Sequence, residues 1–181
     1  MKRVLAIVLA ALVAGPLAAG AESPARPAGQ VVLTVAGQVK KPNRGAFDAF
    51  DDAFFKYHER HFAKAAVFDL AALEALGRHR VEIAYVKWPR ALRFEGPWLR
   101  DVLAAAGATG RDLTVLALDG YATEISAADL ARYDWILATR LDGHYLEIGQ
   151  RGPLWIVYPG TTLTQADEDR WPYAVFMIEA K

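Results

Sequence analysis

Two Asp-Gly pairs, Asp119-Gly120 and Asp142-Gly143, each stand between short apolar runs, and so tight a turn joins neighbouring antiparallel strands. Both central positions of the favoured two-residue turn need positive φ, which Asp-Gly tolerates. The pairs therefore mark two β-hairpins, with residues 113–118 and 121–125 as the arms of the first. Residues 135–141 and 144–148 are the arms of the second. Residues 154–158 (LWIVY) are apolar throughout, as in a strand covered on both faces, and 174–179 form a last strand.

The first half mixes helices into this pattern. Residues 31–39 (VVLTVAGQV) are short and β-branched, which predicts an opening strand ended by the turn cluster 41–45. Phe47, Phe50, Phe54, His58, His61 and Ala65 recur at spacings of three and four, so residues 47–65 are expected to be helical. Phe55 and Phe62 widen that stripe, which either joins the core or docks a partner. Asp69 is placed to cap a short helix, 70–76, that stops at Gly77. Residues 81–88 (VEIAYVKW) alternate as a strand does. Pro97 opens another helix with Trp98, Leu99, Val102, Leu103 and Ala106 on its apolar face, and Gly107 ends it. Strands interspersed with a few helices give an α+β domain on a mixed, mostly antiparallel sheet.

The N-terminal residues bear on compartment. Lys2 and Arg3 precede an apolar stretch, 4–17, broken only at Gly15-Pro16, and Ala19-Gly20-Ala21 has the small-x-small form of a cleavage site. That stretch is shorter than the ~20 residues a spanning helix needs. Residues 1–21 are therefore expected to be a cleaved signal peptide. Residues 22–30, rich in Pro, Ala and Gly, are expected to be a flexible leader, and 31–181 a single domain. Lys2 and Arg3 leave with the peptide, taking the 21 basic residues two below the 21 acidic ones. That balance offers no footprint for nucleic acid or an anionic membrane. The chain has no Cys, which excludes thiol nucleophiles, thiolate metal sites and redox pairs and leaves stability to packing.

Few side chains suggest chemistry. His58 and His61 have a spacing that suits a metal, yet no third ligand is evident and both share the apolar stripe. His79 lies in a basic turn, where solvation is expected, and His144 follows the second Asp-Gly pair. Ser126 with Asp129 reads as a helix cap, and neither a Gly-x-Ser-x-Gly motif nor a Gly-rich phosphate loop is present. No catalytic residue and no metal site is assigned. Aromatic usage is more informative: Trp88, Tyr121, Tyr145, Trp155, Tyr158 and Trp171 lie at or near strand ends. Arg90, Arg93, Arg140, Arg151 and the two turn aspartates are close to them in sequence. Such a set either fills the rim of the core or holds a flat heteroaromatic ligand by stacking and edge hydrogen bonds.

LTVAGQV (33–39), FEGPWLRDVLAAAGA (94–108), ALDGYATEIS (117–126), LATRLDG (137–143) and GPLWIVYPG (152–160) add a further constraint through their order. Together they resemble the oxidoreductase molybdopterin-binding domain family, which is built on the sulfite-oxidase fold. The helix with the Gly-x-x-Leu-Arg-Asp-x-Leu pattern, starting at Gly96, is the most specific of the five. The chain also departs from the family's enzymes. Those carry a Cys upstream of that helix as the molybdenum ligand, where this chain has Trp88-Pro89-Arg90. They also carry an Arg near the position of Trp155, which replaces a phosphate-matching cation with a stacking surface.

This combination resembles a small, cysteine-less periplasmic branch of the family that binds molybdenum-free pterins. The resemblance implies a non-catalytic periplasmic protein that senses a pterin, held without a covalent bond. It further implies a relay to the periplasmic domain of a membrane-bound cyclic-di-GMP enzyme, with the protein itself neither membrane-embedded nor bound to nucleic acid. The alternative is a molybdopterin-dependent oxidoreductase, or a subunit of one, with a non-thiolate metal site. By position, Trp88 and Trp155 are the implied stacking surfaces. Asp119 is either the acceptor for the 2-amino and N3–H edge of the ring or simply a turn former. Tyr121 and Arg140 are placed to reach the ring carbonyl or side-chain hydroxyls, and Asp142 joins them from its turn.

Overall fold

The first strand, β1 (Val31–Gly37), forms where the β-branched run predicts it. The computed structural model describes residues 25–181, so the expected signal peptide and its cleavage point lie outside the described residues.

Residues 47–65 do not form the expected helix. Only Ala53–Tyr57 is helical (α1). Asp48 Oδ1 accepts from the N–H groups of Phe50 and Asp51 at 2.8 and 3.0 Å. Asp52 accepts from the Asp48 N–H and pairs with Arg44. Such side-chain bonds offer the backbone partners that compete with helical ones. Glu59 then takes a φ of 56°, outside the helical range. The aromatic stripe divides accordingly: Phe62 is buried, whereas Phe50 and Phe54 are 89% and 45% exposed. His58 and His61 rest edge-on against Phe54 and Phe47, with ring centroids 4.6 and 4.5 Å apart.

Strand β2 (Ala65–Asp69) runs antiparallel to β1, and Asp69 caps α2 (Leu70–Ala75) by accepting from the Ala72 N–H at 2.7 Å. Strand β3 (His79–Ile83) ends earlier than the alternating run 81–88 suggests. The chain instead turns, with the Trp88 N–H bonded to the Tyr85 carbonyl, before β4 (Leu92–Gly96). His79 is not merely solvated, because its ring stacks on Trp98 at 4.6 Å. Helix α3 (Leu99–Ala106) buries Leu99, Val102, Leu103 and Ala106 and stops at Gly107, as its pattern predicts.

Strands β5 (Leu113–Ala117) and β6 (Ala122–Ile125) form the first hairpin, followed by α4 (Ala127–Arg132), which Ser126 caps. The expected strand 135–141 splits at buried Thr139 into β7 (Ile136–Ala138) and β8 (Arg140–Leu141). Strand β8 pairs with β9 (His144–Tyr145), while β7 pairs with β10 (Trp155–Val157), so one stretch serves two sheets. Helix α5 (Gln165–Glu168) and strand β11 (Val175–Ala180) complete the chain.

The two Asp-Gly turns differ. Asp142 and Gly143 have φ of 51° and 88°, as the two-residue turn requires. At the first turn only Gly120 is left-handed, with φ 89°, and the Ala117 N–H bonds to the Tyr121 carbonyl around a loop over 118–120. That is the longer hairpin loop in which glycine alone takes the left-handed position.

The sheet β2-β1-β11-β5-β6 has one parallel pair, β1 with β11; its other pairs are antiparallel. Strands β3-β4-β8-β9 form an antiparallel sheet, and β10-β7 a two-stranded ribbon. The architecture is thus α+β with mixed, mostly antiparallel sheets, as expected. Leu33, Val35, Leu99, Ile136, Ile156 and Ile178 lie fully buried in one cluster that ties the sheets to α3. At Gly96 a Cβ would stand 2.2 Å from the Leu137 carbonyl oxygen, so only glycine lets β4 pass β7 this closely.

Candidate functional site

A cavity of about 290 Å³ opens beside the first hairpin turn. Ala117, Asp119 and Tyr121 line it from the turn, and Glu168, Asp169, Trp171, Pro172 and Tyr173 line it from the end of α5 and the segment beyond. Asp119 Oδ1 accepts from the Tyr121 N–H at 3.0 Å, so this carboxylate shapes its turn and also faces the cavity. The Tyr121 hydroxyl donates to the Asp169 carbonyl at 2.9 Å and links the two walls.

The α5 wall is fixed from behind. Tyr158, almost fully buried on the chain leaving β10, donates its hydroxyl to Asp167 at 2.5 Å, and Arg170 bonds to both. Asp167 also caps α5 by accepting from the N–H and hydroxyl of Thr164 at 2.8 and 2.7 Å. Burial alone would raise the Asp167 carboxyl, but the bonds from Tyr158, Thr164 and Arg170 outweigh it and hold the group at about 2. Burial, and then the bond to Asp167, push the Tyr158 phenol well above its ordinary value. The segment beyond α5 is pinned to β10: Trp155 Nε1 donates to the Trp171 carbonyl at 3.2 Å, and the Ile156 N–H to the Pro172 carbonyl at 3.0 Å.

An aromatic layer lies against this wall. Trp88, half-buried, donates its indole N–H to Glu168 Oε1 at 3.1 Å. Its ring stands 5.6 Å from Trp171 and 5.7 Å from Trp155. Trp155 is buried, packs edge-on against Phe94 at 4.9 Å, and carries the Arg151 guanidinium 4.6 Å from its ring centre. The indole N–H of Trp171 is buried without a hydrogen-bond partner, and the buried Tyr85 hydroxyl lies close to Glu168. Burial and the neighbouring Glu168 raise the Tyr85 phenol. An orphaned buried donor is unusual in a settled core and suits an ordered water.

Of the six residues expected from sequence, the structure brings Asp119 and Tyr121 to the cavity and sets Trp88 against its Glu168 wall. Trp155 lies behind Trp88 and Trp171. Arg140 and Asp142 sit on the second hairpin and do not line this cavity. Arg140 donates to Glu74 at 3.0 Å and lies 3.5 Å from the Tyr145 ring centre. Asp142 pairs with Arg90 at 2.6 Å and accepts from the Arg93 N–H at 3.1 Å. Burial would raise the Asp142 carboxyl, but Arg90 and Arg93 hold it below its ordinary value. Glu168, Asp169 and Tyr173 were not among the expected residues. Their one sequence signal is the acidic run Asp167-Glu168-Asp169 beside Trp171-Pro172-Tyr173.

A family model of the oxidoreductase molybdopterin-binding domain matches residues 22–166. The chain belongs to that family. Its sheets and helices accord with the sulfite-oxidase-like fold, and its matched stretch ends just before Glu168. A comparison with curated proteins finds no match. The family's metal does not fit the donor set of this member. A thiolate is the ligand that a molybdenum centre takes in the family's enzymes, and this chain has no Cys, with Trp88-Pro89-Arg90 in that neighbourhood. Among the described residues, no group of three or more His, Asp or Glu side chains is placed to hold a metal ion.

Proposed function

We propose that the protein is a non-catalytic periplasmic pterin-binding protein, which senses a molybdenum-free pterin and relays it to a membrane-bound signalling partner. The carrying observation is the cavity between the Asp119 turn and α5, where carboxylates and aromatic rings converge. Its volume lies near the low end of the ~300–1,000 Å³ usual for small-molecule sites, as a single bicyclic ring system needs. A carboxylate matches the 2-amino and N3–H donors of a pterin in a fork, and Asp119 is the candidate acceptor. Tyr121 edges the same space. Trp88 and Trp171 supply aromatic surface, and Trp155 supports both from behind. Arg140 and Asp142 enter this reading only as residues that hold the second hairpin in place.

The expected signal peptide supports a periplasmic location, and the absence of cysteine supports a binding role over metal redox chemistry. Phe50, Phe54 and Tyr57 leave apolar surface open around α1, which supports a protein partner such as the periplasmic domain of a cyclic-di-GMP enzyme. Family membership carries the second reading, a molybdopterin-dependent oxidoreductase or a subunit of one. Titration of the purified protein with neopterin, followed by pterin fluorescence, tests the first. Saturable low-micromolar binding that weakens in Asp119→Asn is expected; no saturable change would refute it.

A further inference from the structure

We propose that the cavity selects pterins that carry no phosphate, so that the ligand class is an unphosphorylated pterin; this rests on the pterin reading above. Asp119, Glu168 and Asp169 line the cavity, and among the described residues no Lys or Arg does. Neutral donors hold the α5-side carboxylates in position. Glu168 accepts from Trp88 Nε1 at 3.1 Å and from Gln165 Nε2 at 3.2 Å, and Asp169 accepts from Gln165 Nε2 at 2.7 Å. Their charge is oriented but not cancelled. Arg170, the cation next in sequence, is committed to Tyr158, Asp167 and Asp129, and Lys87 donates to Gln165.

A phosphate brought among these carboxylates meets like charge in a partly desolvated space, and such juxtapositions are strongly discriminating. A bare pterin meets the opposite situation. Its amino and N3–H groups find acceptors in the lining carboxylates. The acidic wall is a property of this chain beyond the family resemblance, because Glu168 and Asp169 follow the matched stretch.

The test is calorimetric titration of the mature full chain with neopterin and with neopterin 3′-phosphate, at low and high salt. The phosphate ester is expected to bind at least about tenfold more weakly. The gap should narrow at high salt, where exposed charges are screened. It should narrow again in Glu168→Gln, whose amide oxygen still accepts from Trp88, and in Asp169→Asn. Equal or tighter binding of the ester overturns the inference and leaves the pterin reading standing. Failure of both compounds to bind overturns the pterin reading and the inference with it. A gap unchanged in both variants shows that these carboxylates do not set it.

Discussion

The indole N–H of Trp88 donates to Glu168 across 3.1 Å, joining residues 80 positions apart. Trp88 stands in the neighbourhood where the family's enzymes carry their metal-binding Cys. In this chain it has become a hydrogen-bond donor to the wall of a cavity. A side chain in that neighbourhood thus holds a carboxylate of a residue that lines the cavity.

That contact separates stacking from hydrogen bonding. Trp88→Phe keeps a ring and loses the donor, so pterin affinity should fall about fivefold, the worth of one ordinary hydrogen bond. Trp88→Ala removes the ring too and should cost at least about tenfold. Calorimetry on both variants, with thermal melts as a folding control, measures the difference.

The α5 anchor makes a pH prediction. Asp167 is held at about 2, below the ~3.9 of an unfolded Asp. A depressed carboxyl contributes stability that is complete above the unfolded value and is lost as pH falls toward 2. The contribution is about 2 kcal/mol at neutral pH. Urea unfolding between pH 5 and pH 2 should show this loss, and Asp167→Asn should flatten that part of the curve. Tyr158→Phe should weaken it while lowering stability at pH 7 by about 1 kcal/mol.

Glu95 makes a separate prediction in the second sheet. It is 2% exposed, accepts from Arg78 at 3.0 Å and Arg80 at 3.3 Å, and has Arg93 within 3.6 Å. Burial opposes its charge, but Arg78 and Arg80 prevail and its carboxyl lies below the ordinary value. Glu95→Ala should destabilise by about 1–3 kcal/mol in urea unfolding, with pterin affinity unchanged because Glu95 does not line the cavity.

Gly96 tests the packing. A Cβ there meets the Leu137 carbonyl oxygen at 2.2 Å, and backbone cannot yield as a side chain can. Gly96→Ala should cost about 3 kcal/mol, read as a lower urea midpoint.

Local signals were legible in the sequence. The Asp-Gly turns, the Asp69 cap and the apolar face of α3 each depend on neighbours within a few residues, and each forms where expected, although the arm expected over 144–148 is strand only at His144–Tyr145. The helix expected over 47–65 fails for a local reason of another kind: Asp48 and Asp52 bond to backbone that periodicity alone assigns to a helix. Thr139 breaks a strand because its N–H goes to the Glu95 carbonyl on β4, a contact that only the assembled sheets supply. The site was half legible. Asp119 and Tyr121 lie on a recognisable turn, but Glu168 and Asp169 belong to a wall held by long-range contacts such as the Tyr158 bond to Asp167 and the Trp88 bond to Glu168. Arg140 and Asp142 lie in a family-like segment, yet their charges are engaged by Glu74 and Arg90.

The central claim is that this member of a molybdopterin-binding family holds a pterin without its metal. Mass spectrometry of what leaves the protein on denaturation, after purification from its native host cells and with molybdenum assayed on the same sample, tests this most directly. A bound pterin at near-stoichiometric amount without molybdenum is the expected result. Stoichiometric molybdenum with molybdopterin would contradict it.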